Sequence, residues 1–227
     1  MSSASYVIDV SARSQDADVW FALPPGFVPL PLRELAEAED SSGKAGSGST
    51  PGLLPAALPD AMARRQSPTD LGPVLRLAQL FLEAGTVLCC LGVHADDEGD
   101  GRMLLSLFTL ASRPSDWAPR SVLAARAAAG AQDAEHIETL DLPCGPGSLV
   151  QRRLSVPPEN GKGTQRELLQ ATAYVPCPDG RRIAILALAT TAVNRARHYR
   201  ALLEDVVRTV SFDNPLRDVF DDASGKD

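Results

Sequence analysis

The stretch from Arg181 to Phe212, RRIAILALATTAVNRARHYRALLEDVVRTVSF, decides the fold that this sequence predicts. Its first part, Ile183 to Thr190, is apolar at odd and even positions alike, so a strand formed here needs cover on both sides. Its second part repeats apolar residues at helical spacing, which predicts a helix with one apolar stripe. The stripe consists of Tyr199, Leu202, Leu203, Val206, Val207 and Val210. We therefore expect a strand followed by a helix that packs back onto the sheet, with Asn194 capping the helix.

Two further segments are apolar on both faces. They are Thr86 to Val93 (TVLCCLGV) and Met103 to Ala111 (MLLSLFTLA), separated by the acidic, glycine-containing stretch Asp96 to Gly101. A short glycine-containing connection between two such runs predicts a hairpin. Together with residues 183–190 they predict three adjacent central strands that need helices above and below. The predicted fold class is α+β, an α/β/α sandwich with a central, mostly antiparallel sheet covered by helices on both faces.

The remaining segments are expected to surround these strands. The alanine-rich segment Pro119 to Ala129 predicts a helix. Strands are predicted for residues 19–23, 135–142, 148–156 and 166–175, and the second and third of these mix polar with apolar residues and are placed nearer an edge. We predict a single domain over residues 1–213, with a flexible Gly/Ser/Thr loop at 39–52 and a polar tail at 214–227.

The composition argues against several classes of protein. The net charge of -7 and the pI of about 5.0 disfavour nucleic acid as a partner, because domains that bind it normally carry a basic surface. No run approaches about 18 apolar residues, so no membrane span is predicted. The first residues lack the apolar core of a secretory signal, so a cytoplasmic location is predicted. In that compartment the cysteines are expected to be reduced, with the neighbours Cys89 and Cys90 facing opposite sides of a strand.

The motifs that carry chemistry are incomplete. Phosphate loops place a hydroxyl residue directly after lysine, and neither Gly43-Lys44-Ala45 nor Gly161-Lys162-Gly163-Thr164 does so. The local group with metal-ligating residue types consists of His94, Asp96, Asp97 and Asp100. It lacks the terminal glutamate of a calcium loop and is interpreted as a solvated hairpin tip. With no nucleophile elbow either, we predict no catalytic residue, no cofactor and no metal, and hence a protein that is not an enzyme.

The order of these elements resembles the PsbP-like α/β/α sandwich superfamily. The resemblance is carried by the turn Leu23-Pro24-Pro25-Gly26-Phe27, the turn Leu142-Pro143-Cys144-Gly145-Pro146, and the final helix from Tyr199 to Ser211-Phe212. This superfamily includes the photosystem extrinsic protein PsbP, a Ran-binding nuclear-import factor and actinobacterial lipoproteins of the LpqN type. The resemblance implies a non-catalytic, protein-binding role and carries over no catalytic residues. Unlike the lipoproteins, this chain shows no signal and no lipidation cysteine near its start.

Four residues are candidates for binding a partner. Arg195, Arg197 and Arg200 crowd the first half of the final helix, and they are interpreted either as a solvated face or as a docking patch for an acidic partner. Trp117 stands beside a proline and is expected to be partly exposed, where an aromatic side chain would suit an interface.

These observations predict a non-enzymatic, cytoplasmic interaction or adaptor module that binds a protein. The alanine-, arginine- and leucine-rich composition is typical of actinobacteria, where the resemblance implies a cytosolic relative linked to a specialised secretion system. The alternative is a small-molecule binder or hydrolase that uses a pocket between sheet and helices. A homo-oligomer is left open beside both.

Overall fold

The structure, a computed structural model, describes residues 17–33, 81–96, 103–156 and 166–215. In chain order its strands are β1 (Phe27–Pro29), β2 (Thr86–Ala95), β3 (Met103–Pro114), β4 (Ala134–Leu142), β5 (Gly145–Val156), β6 (Arg166–Pro176) and β7 (Arg182–Thr190). Helix α1 (Arg120–Ala129) lies between β3 and β4 in the chain, and a 3-10 turn (Val193–Arg195) leads from β7 into helix α2 (Ala196–Arg208). The predicted loop at 39–52 and the tail beyond Pro215 lie outside the described residues.

The described strands form one antiparallel sheet in the order β1-β2-β3-β7-β6-β5-β4. The three strands predicted to be central, β2, β3 and β7, are adjacent, with β7 in the middle of the sheet. The strands that mix polar with apolar residues, β4 and β5, lie at one edge as predicted. The sheet consists of the hairpin β2–β3 and the meander β4–β7. The two parts are joined where β7 pairs with β3, a strand from much earlier in the chain.

Helix α2 packs its apolar stripe onto one face of this sheet, called here the α2 face. Its buried residues are Tyr199, Leu203, Val206 and Val207. They share a core with Phe108 of β3, Leu186 of β7 and Ala171 of β6, all of which are 0% exposed. The stripe that the sequence predicted is therefore confirmed, and it spans the strands at the centre of the sheet.

The other face of the sheet is covered less completely by the residues that the structure describes. Cys89 packs with Leu32 on this side, whereas its neighbour Cys90 belongs to the core of the α2 face, which confirms their opposite orientations. Ser148 also points away from the α2 face, and its hydroxyl donates a 2.8 Å hydrogen bond to the carbonyl of Ala124 in α1. The side chains of β7 on this face are only half-buried, namely Ile183, Ile185, Ala187 and Ala189. A mainly antiparallel sheet is confirmed, while helical cover on both faces stays a prediction.

The Pro/Gly turn between β4 and β5 is held by Arg120 at the start of α1. Its guanidinium donates to the carbonyl of Pro176 at 2.9 Å and to that of Cys144 at 2.6 Å. Gly145 adopts φ +122°, and a Cβ there would collide with the guanidinium of Arg120. The glycine of the Leu142–Pro146 turn is therefore required both by its backbone conformation and by the close approach of Arg120.

Two local predictions were wrong. Residues 19–23 do not form a strand, and only Trp20 makes an isolated bridge, to Ser211 beyond α2. Asn194 does not cap α2, which follows the 3-10 turn with Arg195 at the N-cap position and no side-chain cap bond. The backbone N–H of Ala192 is bound instead by the hydroxyl of Thr190 at 3.1 Å, so a residue of the preceding strand organises the start of this segment.

We expect Leu203→Ala to lower the free energy of unfolding by about 2–5 kcal/mol, because it would leave a cavity between α2 and the sheet. Leu203 is 0% exposed, whereas Leu105 is 38% exposed and supplies a matched control. Urea denaturation of Leu203→Ala and Leu105→Ala would measure the difference. Equal losses in the two variants would contradict the packing of α2 described here.

Candidate functional site: a polar cluster and an apolar patch at one end of the sheet

Polar residues gather on the α2 face where β2 and β7 end. Gly92, Ser106 and Thr190 are neighbours in one row across β2, β3 and β7. Ser106 is 3% exposed and Thr190 is 2% exposed. The group called here the polar cluster comprises His94, Asp96, Ser106, Thr190, Arg195 and Tyr199.

Part of the polar cluster joins α2 to the strands. Arg195 donates to a carboxylate oxygen of Asp96 at 2.7 Å, in an ion pair whose side chains are only 18% and 13% exposed. The Thr190 hydroxyl donates to the carbonyl of Leu105 at 2.7 Å. Tyr199 is buried, and burial raises the pKa of its phenol although a hydrogen bond with Thr190 acts in the opposite direction. These contacts connect the start of α2 to the ends of β2 and β7.

Ser106 Oγ and His94 Nε2 of the polar cluster are buried without a hydrogen-bond partner among the described residues. Both lie beside Gly92, where a Cβ would collide with Ser106 Oγ and would stand 3.0 Å from His94 Nε2. The His94 ring also packs edge-on against Phe27, with centroids 5.1 Å apart. The missing side chain of Gly92 thus lets an imidazole nitrogen and a hydroxyl, which could each exchange a hydrogen bond, lie close to the backbone of β2.

The electrostatics of the cluster favour a neutral imidazole. Burial lowers the pKa of His94 from the ordinary value of 6.5, and nearby His198 lowers it further. A neutral ring carries one donor and one acceptor nitrogen, so it could hold a small polar group together with Ser106. His94 and Ser106 can therefore offer hydrogen bonds to a ligand. The carboxylate of Asp96 is already bound by Arg195.

The opposite face of the sheet carries an apolar surface at this same end. Met103 of β3 is 53% exposed and Leu105 is 38% exposed. Their cross-strand partners on β2 are Ala95 and Val93, respectively. We call Val93, Ala95, Met103 and Leu105 the β2–β3 patch. Large apolar side chains standing together on a sheet face are the kind of surface that other proteins cover.

The predicted partner-binding residues do not come together. Arg195 is half-buried and paired with Asp96, Arg197 is exposed, and Arg200 is half-buried. Trp117 is 66% exposed, as expected, but it lies beside Gly180 at the far end of the sheet. The two ends are separated by the length of β3 between Ser106 and Pro114, about 26 Å at about 3.3 Å per residue. Trp117 and the arginines therefore lie at opposite ends of the sheet and do not form one compact patch.

The acidic group beside His94 was interpreted as a solvated hairpin tip, and for Asp96 this interpretation was wrong. Its carboxylate is largely buried against Arg195. Asp97 and Asp100 lie outside the described residues. Within the described ranges, no three or more His, Cys, Asp or Glu side chains are grouped so that they could hold a metal ion.

Sequence reasoning missed Ser106 and Thr190. Each is a polar residue in an apolar strand on the side that faces α2, and that break in the apolar pattern was the available signal. Cys89, Cys144 and Cys177 are free thiols, and burial raises the pKa of Cys89 to about 12. Burial also raises the pKa of Cys144 despite the nearby guanidinium of Arg120. A thiol with a raised pKa stays protonated and is a poor nucleophile.

Comparison of this chain with protein-family models and with curated proteins finds no match. Of the helices that the structure describes, none has the length and apolar character to cross a membrane.

We expect Ser106→Ala to leave the free energy of unfolding unchanged or to raise it, because the hydroxyl that is removed is buried without a partner. Ser148→Ala is the matched control, since Ser148 is 1% exposed and its hydroxyl is bonded to Ala124. Its loss should cost about 1 kcal/mol, the net value of a typical hydrogen bond. Urea denaturation of both variants would test this contrast, and a larger loss for Ser106→Ala would reveal a partner for that hydroxyl.

The lowered pKa of His94 predicts a loss of stability in mild acid. As the pH falls below about 6.5, the unfolded chain takes up a proton that the folded chain resists, so protonation favours unfolding. His94→Gln should therefore make the free energy of unfolding less dependent on pH between about 7 and 5 than it is in the wild type. Denaturation at a series of pH values would measure both slopes. Parallel curves for the two proteins would contradict the desolvation of His94.

Proposed function

We propose that this protein is a non-enzymatic, cytoplasmic interaction module with a PsbP-like sandwich fold, and that it binds a protein partner through the β2–β3 patch. The observation that carries the proposal is the exposure of Met103 and Leu105 side by side on one face of the sheet. The link to a secretion system is part of the same proposal and rests on the family resemblance.

The patch suits a partner that presents an apolar side chain. Complete burial of a methionine or leucine side chain contributes about 1.5–3 kcal/mol, so covering Met103 and Leu105 would favour association. The chain is acidic overall, with a net charge of -7, and in the sequence the stretch DDEGD, Asp96 to Asp100, directly follows Ala95 of the patch. Basic groups around the partner's apolar side chain would therefore be attracted to this end of the sheet.

The arginines of α2 have a separate place in this proposal. Exposed Arg197 and half-buried Arg200 lie on the helix side of the sheet, and they would contact acidic groups of a partner that reaches around its end. Trp117 would belong to a second contact at the far end. Arg195 would not contact the partner in this proposal; its ion pair with Asp96 holds the start of α2 against the end of β2.

A second candidate function is a small-molecule binder, or a hydrolase, that uses the polar atoms beside Gly92. The observation that favours it is the pair of partnerless buried atoms, Ser106 Oγ and His94 Nε2. A ligand with one donor and one acceptor would satisfy both of them. A hydrolase would in addition need Ser106 to be activated by His94 and a carboxylate to orient the ring. Because Asp96 is bound to Arg195, binding is the better supported part of this alternative.

We expect the double variant Met103→Lys/Leu105→Lys to reduce the affinity for the native partner by about tenfold or more, because two buried apolar contacts are lost. Val87→Lys is the control, since Val87 is 65% exposed at the other end of β2. A photo-crosslinker placed at position 105 and, in parallel, at position 87 would identify the partner in cell extract, and purified components would then give the affinity. Identical crosslinking from both positions would contradict the proposed surface.

A further inference from the structure

The strand β4 forms one edge of the sheet and, among the described residues, pairs only with β5. Its segment from Ala134 to Leu142 (AEHIETLDL) contains no lysine and no proline, two residue types that commonly protect an edge strand from pairing with another chain, and its charged residues are the acidic Glu135, Glu138 and Asp141. Ile137 in its middle is 53% exposed. An edge strand of this length with an exposed isoleucine is a template for a further strand.

The register of β4 against β5 shows which backbone groups point to this open edge. Asp141 stands opposite Pro146, which has no N–H to donate, so these two residues cannot form a hydrogen-bonded pair. In an antiparallel ladder the two types of pair alternate. Thr139 and Ile137 therefore also belong to pairs that are not hydrogen-bonded to β5, and their N–H and C=O groups point outward.

Two copies of β4 can pair in antiparallel fashion only about certain two-fold axes. Residues whose N–H and C=O groups point to the open edge must face residues of the same kind in the other copy. A two-fold axis at Glu138 would place two carboxylates opposite each other, and one at Thr139 would place Ile137 opposite Asp141. An axis at Ile137 places Ile137 opposite its own copy and His136 opposite Glu138 of the other chain. In the single chain His136 Nε2 already lies 3.2 Å from a carboxylate oxygen of Glu138, which demonstrates that these side chains share one side of the strand.

We propose that β4 is the interface of a symmetric homodimer, formed by antiparallel pairing of two β4 strands about Ile137. The two Ile137 residues exchange backbone hydrogen bonds and bring their side chains together on the face opposite α2. On the α2 face each His136 contacts Glu138 of the second copy. The interface is isologous, as expected for a two-fold dimer, and the sheet continues from one copy into the other. Because the pairing is symmetric, the β-bulge between Ala134 and His136 limits the new ladder at both ends, where Thr139 of each copy would face Glu135 of the other.

This dimer goes beyond the proposed function because it uses the opposite edge of the sheet. The β2–β3 patch lies near β1, at the other side of each copy. Dimerisation through β4 therefore leaves both patches free and offers two of them to a partner, which raises the apparent affinity for a multivalent target.

Sedimentation of the full chain from low micromolar to several hundred micromolar concentration tests the interface. We expect a reversible dimer for the wild type and for Met103→Lys, whose residue is as exposed as Ile137, at 53%. Ile137→Lys and Ile137→Pro should raise the dissociation constant by about tenfold or more, the second because it removes an outward-pointing N–H. Thermal unfolding followed by circular dichroism would verify that both variants remain folded, since neither change removes a hydrogen bond to β5.

The charge arrangement provides a second, independent test. His136→Glu should weaken the dimer by placing carboxylates opposite each other, and His136→Glu/Glu138→Lys should restore it. A wild type that stays monomeric over the whole concentration range would overturn the proposal. So would a dimer that tolerates both Ile137 substitutions. Either result would leave the β2–β3 patch untouched, because that surface is tested by Met103 and Leu105.

Discussion

Burial of the α2 stripe against the middle of the sheet is the interaction on which the rest of this structure depends. The sheet combines the β2–β3 hairpin with the β4–β7 meander, and these meet where β3 pairs with β7. Tyr199, Leu203 and Val207 belong to a helix that packs on β6 and β7, and they share a core with residues of both parts. Without the helix, a row of large apolar side chains from several strands would face water, at a cost of about 25 cal/mol per Å² of apolar surface.

The position of α2 is set at its start by polar contacts. Arg195 binds Asp96 at the end of β2, and the hydroxyl of Thr190 at the end of β7 accepts a hydrogen bond from the N–H of Ala192 in the connection. These contacts require polar atoms in a region that the helix also shields from solvent. Ser106 Oγ and His94 Nε2 lie in the same region and have no hydrogen-bond partner among the described residues. The polar residues that anchor the helix and those of the alternative binding site are therefore buried by the same helix.

The surfaces proposed for interaction lie on other parts of the same sheet. The β2–β3 patch occupies the face that α2 does not cover, and β4 forms the edge farthest from it. In the proposed dimer the two patches are held apart by the width of two joined sheets, and their spacing is set by backbone hydrogen bonds rather than by flexible chain. A multivalent partner would therefore meet both patches in a defined geometry, whereas a monovalent partner would meet each of them separately.

Periodicity and alanine content in the sequence were sufficient for strands β2 to β7, for helices α1 and α2, and for the buried stripe of α2. It also placed β2, β3 and β7 together and gave Cys89 and Cys90 opposite orientations, because the direction of side chains along a strand follows from alternation alone. The same reasoning failed at residues 19–23 and at Asn194. In both places the outcome depends on a distant segment, on Ser211 for Trp20 and on Thr190 for the start of α2.

The sequence by itself determined on which side of each strand and helix the apolar residues lie, since hydrophobic period is a local property of the chain. Only the tertiary structure decided which polar residues meet, as with Asp96 and Arg195, and which apolar ones stay outside, as with Met103 and Leu105. Those outcomes depend on the register between strands that are far apart in sequence. Register is set by the packing of the whole sheet, and no short window of sequence contains it.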